Sequence, residues 1–222
     1  MDSVRKYVTE AIGTFFLVFT VITAVSSGSP LAPLGIGAVL MVMIYAGGHI
    51  SGAHYNPAVS IAAFIRGKLS APDLGIYVVS QFIGGLLAAL AGRYLFHLTG
   101  AKANFTGQAI GHALLVEILF TFALAYVVLN VATSKDHPNN SFYGLAIGFT
   151  VAAGAIAVGG ISGAVFNPAV AVGITTAGIT AWADIWVYFV AQIIGGALAG
   201  LAFRVLNPDD LDNEAEAETV NA

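Results

Sequence analysis

The sequence predicts an all-α membrane protein, an inverted repeat of six transmembrane helices plus two re-entrant half-helices. Three observations carry this. Hydrophobic residues make up 58% of the 222 and charged residues only 9%, whereas a soluble domain carries about 25% charge. With a mean hydropathy of +0.86 the chain lacks the polar surface to face water, so lipid is its solvent. The stretch His49-Ile50-Ser51-Gly52-Ala53-His54-Tyr55-Asn56-Pro57-Ala58-Val59 is echoed 111 positions later by Gly160-Ile161-Ser162-Gly163-Ala164-Val165-Phe166-Asn167-Pro168-Ala169-Val170. Each half also holds three apolar spans. Three is odd, so the halves must insert with opposite orientation, about a pseudo-twofold axis in the membrane plane.

Span one covers about 7–26 and is apolar apart from Glu10 and some hydroxyls. The basic Arg5 and Lys6 precede it, but with no clear cleavage site it is expected to be retained. A loop with Gly28, Pro30 and Pro33 leads to span two at about 35–48. The first re-entrant helix, about 58–65, opens at Asn56-Pro57-Ala58 and ends at Arg66-Gly67-Lys68. Asparagine caps helices well, and proline suits the first helical position because it lacks the N–H that the first turn leaves unpaired. Such a short run does not cross a bilayer. Span three is about 74–95, a polar connection follows at 97–108, and span four is about 110–131 with Glu117 inside. The polar run from Ser134 to Ser141 is a loop. Span five is about 142–158. The second half-helix, about 169–176, opens at Asn167-Pro168-Ala169, and span six is about 183–206. A channel-like domain therefore occupies 1–206, with repeats at about 5–97 and 109–206. The remainder, 207–222, is acidic and poor in large apolar residues, so a disordered cytoplasmic tail is expected there.

The repeat extends beyond the motif. Asp73, Tyr77, Gln81, Gly84, Gly85, Leu87, Ala88 and Arg93 meet Asp184, Tyr188, Gln192, Gly195, Gly196, Leu198, Ala199 and Arg204 at the same offset. Glu10-x3-Thr14-Phe15 recurs as Glu117-x3-Thr121-Phe122. The Gly-Gly pairs suit close helix crossing, and Arg93 and Arg204 are expected as interfacial anchors.

The absence of cysteine excludes disulfides and thiol chemistry. The net charge of −4 arises largely from the tail, where six of the twelve acids sit between 209 and 218. Nothing is basic enough for nucleic acid. With both termini inside, Arg5, Lys6, Arg66, Lys68, Lys135 and Arg204 fall on one side and only Arg93 and Lys102 on the other. That bias favours cytoplasmic termini. The half-helices then enter from opposite sides and meet at mid-membrane.

Irregular backbone at membrane depth is tolerated only where protein buries it or water bathes it. Two dipping half-helices therefore imply a lined, wet passage. The preceding loops, Ala53-His54-Tyr55 and Gly163-Ala164-Val165, would offer a ladder of carbonyl acceptors. Asn56 and Asn167 would offer side-chain donors at the midpoint. Both helices aim their positive ends there, each equivalent to about half a charge, which repels cations that have shed water. Glu10 and Glu117 are either proton relays or acceptors that brace the loop backbone, and their repeat-related positions favour bracing. His49 and His54 lack companions at metal-ligand spacing and are expected to brace loops, so neither metal nor cofactor is expected.

Two half-helices entered through Asn-Pro-Ala, one in each half of an apolar chain, resemble the aquaporin (major intrinsic protein) family over residues 5–206. The resemblance implies that the asparagines and carbonyl ladder are the family's pore signature. It also implies that four chains assemble, each with its own pore. Most relatives have Arg three residues after the second signature Asn, where this chain has Val170. Carried over by spacing from the motifs, the family's constriction falls on Ile36, Ala155, Ala164 and Val170. Water-selective members have Phe, His, a small polar residue and Arg there, and glycerol-conducting members keep Arg. This chain has neither aromatic nor cation. The filter expected from this is wide and apolar, similar to the nodulin-like and metalloid-conducting branch. The function expected is a passive plasma (inner) membrane channel for glycerol, urea, ammonia, hydrogen peroxide or undissociated metalloid acids, with water. A water-selective pore and a closed-pore structural member stay open as alternatives. An intramembrane enzyme would need a nucleophile or metal constellation, and a secondary transporter ion-coordinating residues at mid-membrane; the sequence offers neither.

Overall fold

The structure, a computed structural model, describes residues 2–99 and 105–211. Among the described residues eight α-helices follow one another: α1 (Asp2–Ser26), α2 (Ala32–Ser51), α3 (Pro57–Arg66), α4 (Ala71–Phe96), α5 (Gln108–Thr133), α6 (Tyr143–Ser162), α7 (Pro168–Ala177) and α8 (Ile185–Leu206). A 3-10 turn, Trp182–Asp184, leads into α8. Six of these are long and apolar enough to cross a membrane, and α3 and α7 are the two short ones.

Capping explains most boundaries. The Ser70 hydroxyl accepts from the Asp73 N–H at 3.2 Å and starts α4. At the other ends, α2 and α6 run past the glycine pairs where the apolar pattern stops, as far as Ser51 and Ser162. They end there because Gly52 (φ 83°) and Gly163 (φ 88°) take the left-handed conformation and close onto the carbonyls of Gly48 and Gly159. The extra turn matters, because it delivers two serine hydroxyls to the site.

Packing follows the repeat. Helix α1 lies against α4 and α2 just as α5 lies against α8 and α6, and α2 meets α6 across the pseudo-twofold axis. At that crossing Gly37 and Gly148 face each other; a Cβ on either would stand 2.5 Å from the other's carbonyl oxygen. The half-helices change sides, so that α3 packs mainly on α8 and α7 mainly on α4. Gly196 admits the backbone of Ala58 and Gly85 the carbonyl of Ala169. Large apolar side chains such as Val79, Leu90, Leu115, Ile156 and Val205 cover the outside and are more than half exposed. Water does not tolerate such a surface. The chain is an integral membrane protein.

Two expectations change in detail. Arg93 and Arg204 do lie exposed near helix ends, but each donates to the end of a half-helix, Arg93 to the Thr176 carbonyl (3.2 Å) and Arg204 to the Ile65 carbonyl (3.0 Å). The start of the expected tail is ordered. Residues 207–211 form a turn with Leu211 N–H bonded to the Pro208 carbonyl, and Asp210 is buried. The rest of that tail, and Lys102, lie outside the described residues.

Gly196→Val tests the packing. Its added carbons meet fixed backbone at Ala58 rather than a yielding side chain, so the cost is about 1–3 kcal/mol or more. The detergent-solubilised variant is expected to melt several degrees below wild type in a fluorescence thermal scan.

Candidate functional site

The site is built by two loops that leave helical geometry in mid-bundle. In the first, Gly52, Ala53 and Tyr55 have positive φ; in the second, Gly163, Ala164 and Phe166 do. Four of those six carry a side chain, which costs about 1 kcal/mol or more each unless the surroundings fix the conformation. Glu10 does so for the first loop. Its Oε1 accepts from the Ser51 hydroxyl (2.7 Å) and the His54 N–H (2.9 Å), and its Oε2 from the Tyr55 N–H (2.7 Å) and the Gln81 amide (2.9 Å). Glu117 repeats this with the Ser162 hydroxyl (2.6 Å), the Val165 and Phe166 N–H groups (2.9 and 2.8 Å) and the Gln192 amide (2.8 Å). Both carboxyls are fully buried. With every oxygen occupied by a fixed donor, they have the geometry of braces.

Each half-helix is capped by its asparagine, Asn56 with φ −156° and Asn167 with φ −156°. The side-chain oxygens accept from Ala58 N–H and Ala169 N–H, both at 2.9 Å. The side-chain amides then cross the pseudo-twofold axis. Asn56 donates to the Phe166 carbonyl and Asn167 to the Tyr55 carbonyl, again at 2.9 Å each. An amide has two N–H donors, so the cross-axis bond uses one of the two on each asparagine.

This exchange engages one carbonyl of the expected ladder, that of Tyr55. The repeat equates Tyr55 with Phe166, and both of those carbonyls are taken by the opposite asparagine. Tyr55 is itself buried, its hydroxyl bonded to the Met43 carbonyl at 2.9 Å. Ala53, His54, Gly163, Ala164 and Val165 do line a cavity.

That cavity, about 360 Å³, runs past both asparagines, and Ile36, Ala155, Ala164 and Val170 all line it. Among the described residues its wall contains no charged side chain, and its polar side chains are His54, Asn56, Asn167 and Thr180. A second cavity of about 470 Å³ opens toward the face that carries Lys6, Lys68 and Asp73. The two share His54 and Val128 in their walls. His54 is held there by Ser60, ring Nδ1 to hydroxyl 3.0 Å, and the Gln81 amide also donates to that hydroxyl at 3.0 Å. His49 takes no such place and is exposed in the last turn of α2.

Sequence reasoning missed several supports. The Tyr77 and Tyr188 hydroxyls donate to the Ser51 and Ser162 carbonyls at 2.7 Å. Both tyrosines, and Gln81 and Gln192, recur at the repeat offset, so the signal was present without an assigned purpose. Arg66, which the sequence places at the end of the first half-helix, is only 2% exposed.

A family model described as Major intrinsic protein matches residues 1–203. The chain is 39% identical over 216 residues to "Glycerol uptake facilitator protein-like 6" of Lactiplantibacillus plantarum, covering 93% of this chain and 100% of that one. It is 35% identical to "Putative aquaporin NIP4-1" of Arabidopsis thaliana, covering 93% and 76%. The fold is similar to that of the aquaglyceroporin from Plasmodium falciparum, with a TM-score of 0.78 over 94% of this chain and 98% of that one at 23% identity.

Glu117→Gln tests the bracing. One side-chain oxygen becomes an N–H donor facing donors that are already fixed, which costs about 1–3 kcal/mol for the orphaned pair. A lower melting temperature with reduced solute flux per folded protein is expected. An unchanged melting curve would show that the carboxyl does not hold the loop.

Proposed function

The chain belongs to the major intrinsic protein family, and on that premise we propose a passive channel with a wide apolar filter that passes small uncharged solutes. Members of this family are channels for small solutes in a membrane, not enzymes. The solutes assigned are glycerol, urea, ammonia, hydrogen peroxide and undissociated metalloid acids, with water.

The carrying observation is the wall of the 360 Å³ cavity, which is free of charged side chains among the described residues and offers its donors at the two asparagines. A neutral solute loses some hydration there and regains hydrogen bonds at Asn56 and Asn167. A cation loses hydration and meets two converging helix N-termini, each equivalent to about half a positive charge. Val170 stands where most members have Arg, so bulk and fixed charge are both missing from the filter formed by Ile36, Ala155, Ala164 and Val170. A relative named for glycerol uptake supports glycerol among the solutes.

Both termini are assigned to the cytoplasm of a plasma (inner) membrane. Arg66 contacts Thr133, Lys135 contacts Asp209, and Lys6 and Lys68 line the same cavity. The bases that argue for this orientation thus gather at one face. A homotetramer with one pore per chain is part of the proposal by family likeness.

Stopped-flow light scattering on proteoliposomes tests it with sucrose, glycerol and urea gradients. Wild type should pass glycerol and urea, and Val170→Arg should lower glycerol flux by about tenfold, the effect of about 1.4 kcal/mol on a barrier. Passage of water alone would overturn the wide filter. A pH-sensitive dye in the same liposomes should report low proton flux; a large proton conductance would sink the view that the half-helix dipoles suffice.

A further inference from the structure

The proposed filter has a counterpart in the repeat. At the 111-residue offset, Ile36, Ala155, Ala164 and Val170 meet Ile147, Ile44, Ala53 and Val59. Both sets line the 360 Å³ cavity that runs past the two asparagines. The pseudo-twofold axis passes between those asparagines, so a ring on one side of them implies a second ring on the other. Val170 lies in the first turn of α7 and Val59 in the first turn of α3. Three of the pairs are identical: isoleucine with isoleucine, alanine with alanine, valine with valine. The fourth is not. Where the first ring has the methyl group of Ala155, the second has the sec-butyl group of Ile44.

The rest of the wall does not offset this. Leu17 and Val21 of α1 meet Leu124 and Val128 of α5 at the offset that relates Glu10 to Glu117, and these too are identical. His54, bulkier than its mate Val165, adds to the crowding on the α3 side. Exposure agrees with composition. Ile44, Ala53, Val59 and Ile147 are all buried, at 2–6%, whereas Ile36, Ala155 and Ala164 are partly exposed. On the α3 side the first cavity also gives way to the second, which shares with it only His54 and Val128 among the described residues.

We propose that Ile44, Ala53, Val59 and Ile147 form a second filter, in which Ile44 sets the size limit of the channel. The inference rests on the channel reading above and deepens it: the wide ring admits a solute and the second ring sorts what has been admitted. Both rings are apolar, so they sort by cross-section. In series along one path, the narrower ring holds the larger barrier. An apolar site discriminates the bulk of one methyl group by about tenfold or more, and Ile44 exceeds Ala155 by more than that.

Stopped-flow light scattering on proteoliposomes tests this with glycerol and the triol that carries a methyl group on its central carbon. The second solute is wider but has the same hydroxyls, and flux is normalised to folded protein. Ile44→Ala should raise the flux of the wider triol relative to glycerol by about tenfold, about 1.4 kcal/mol on a barrier. Ala155→Ile adds a like ring in series and should lower flux of the wider triol by about twofold, about 0.4 kcal/mol. Combining the two exchanges the rings and should bring the ratio back down. A merely loosened fold would not be corrected by a second substitution on the far side of the asparagines. If Ile44→Ala does not fold, Ile44→Val should move the ratio the same way by a smaller factor. An unchanged ratio in a folded Ile44 variant that still passes glycerol overturns the second filter and leaves the channel reading intact. If wild type passes neither triol while Ile44→Ala passes glycerol, the wide-filter reading fails and the ring around Ile44 stands as the block. If neither wild type nor any variant passes a solute, both fall.

Discussion

Every part of this molecule answers to one constraint: backbone that leaves helical geometry inside a bilayer must find partners within the protein. Glu10 and Glu117 meet it. Each receives two loop N–H groups, a serine hydroxyl and a glutamine amide. A carboxyl is suited to this because it offers two acceptor oxygens with about four lone-pair sites on one short side chain. With the N–H groups drawn toward the braces, left-handed conformations at Ala53, Tyr55, Ala164 and Phe166 become tolerable. The loops can then line a passage instead of collapsing into it.

The same economy couples the two halves. Each half-helix lies mainly on the last helix of the other repeat, and each asparagine donates across the axis to the opposite loop. Neither half can build its loop alone. Where the repeats differ, the first loop and half-helix are the more polar: His54 and Ser60 stand against Val165 and Ala171, Tyr55 against Phe166, and Arg66 against Ala177. The scaffold is symmetric, and its two halves are chemically distinct.

The helices and the site's frame were legible because their signals are local or repeated. Asn-Pro starts, apolar runs and the 111-residue offset need no tertiary information. Helix ends were read short at α2 and α6, because glycine pairs that look like breaks in water are tolerated inside a packed membrane bundle. The bond between the Tyr55 carbonyl and Asn167 is not legible, because nothing in Tyr55 itself announces that the two will meet. Arg66 and Asp210 were misjudged for a related reason. A cation at a helix end and an acid in a polar tail both read as solvated, and only the meeting of α3, α5 and α8 buries them together.

The chemistry of passage follows from what the wall omits. A cavity with a fixed cation would rank solutes by charge and hydrogen-bond geometry. One lined by Ile36, Ala155, Ala164 and Val170, as in the proposed filter, would rank them by size and by the cost of shedding water. That cost is modest for a small polar neutral molecule and very large for an ion in a low-dielectric surround. On the proposed reading the asparagines would lower it only for solutes that accept a hydrogen bond, because the bond to the opposite loop uses one N–H of each amide. In the proposed channel, selection against ions would therefore not need a charged filter. It would follow from desolvation and two converging helix dipoles, both supplied by the half-helices whose loops the buried carboxyls hold.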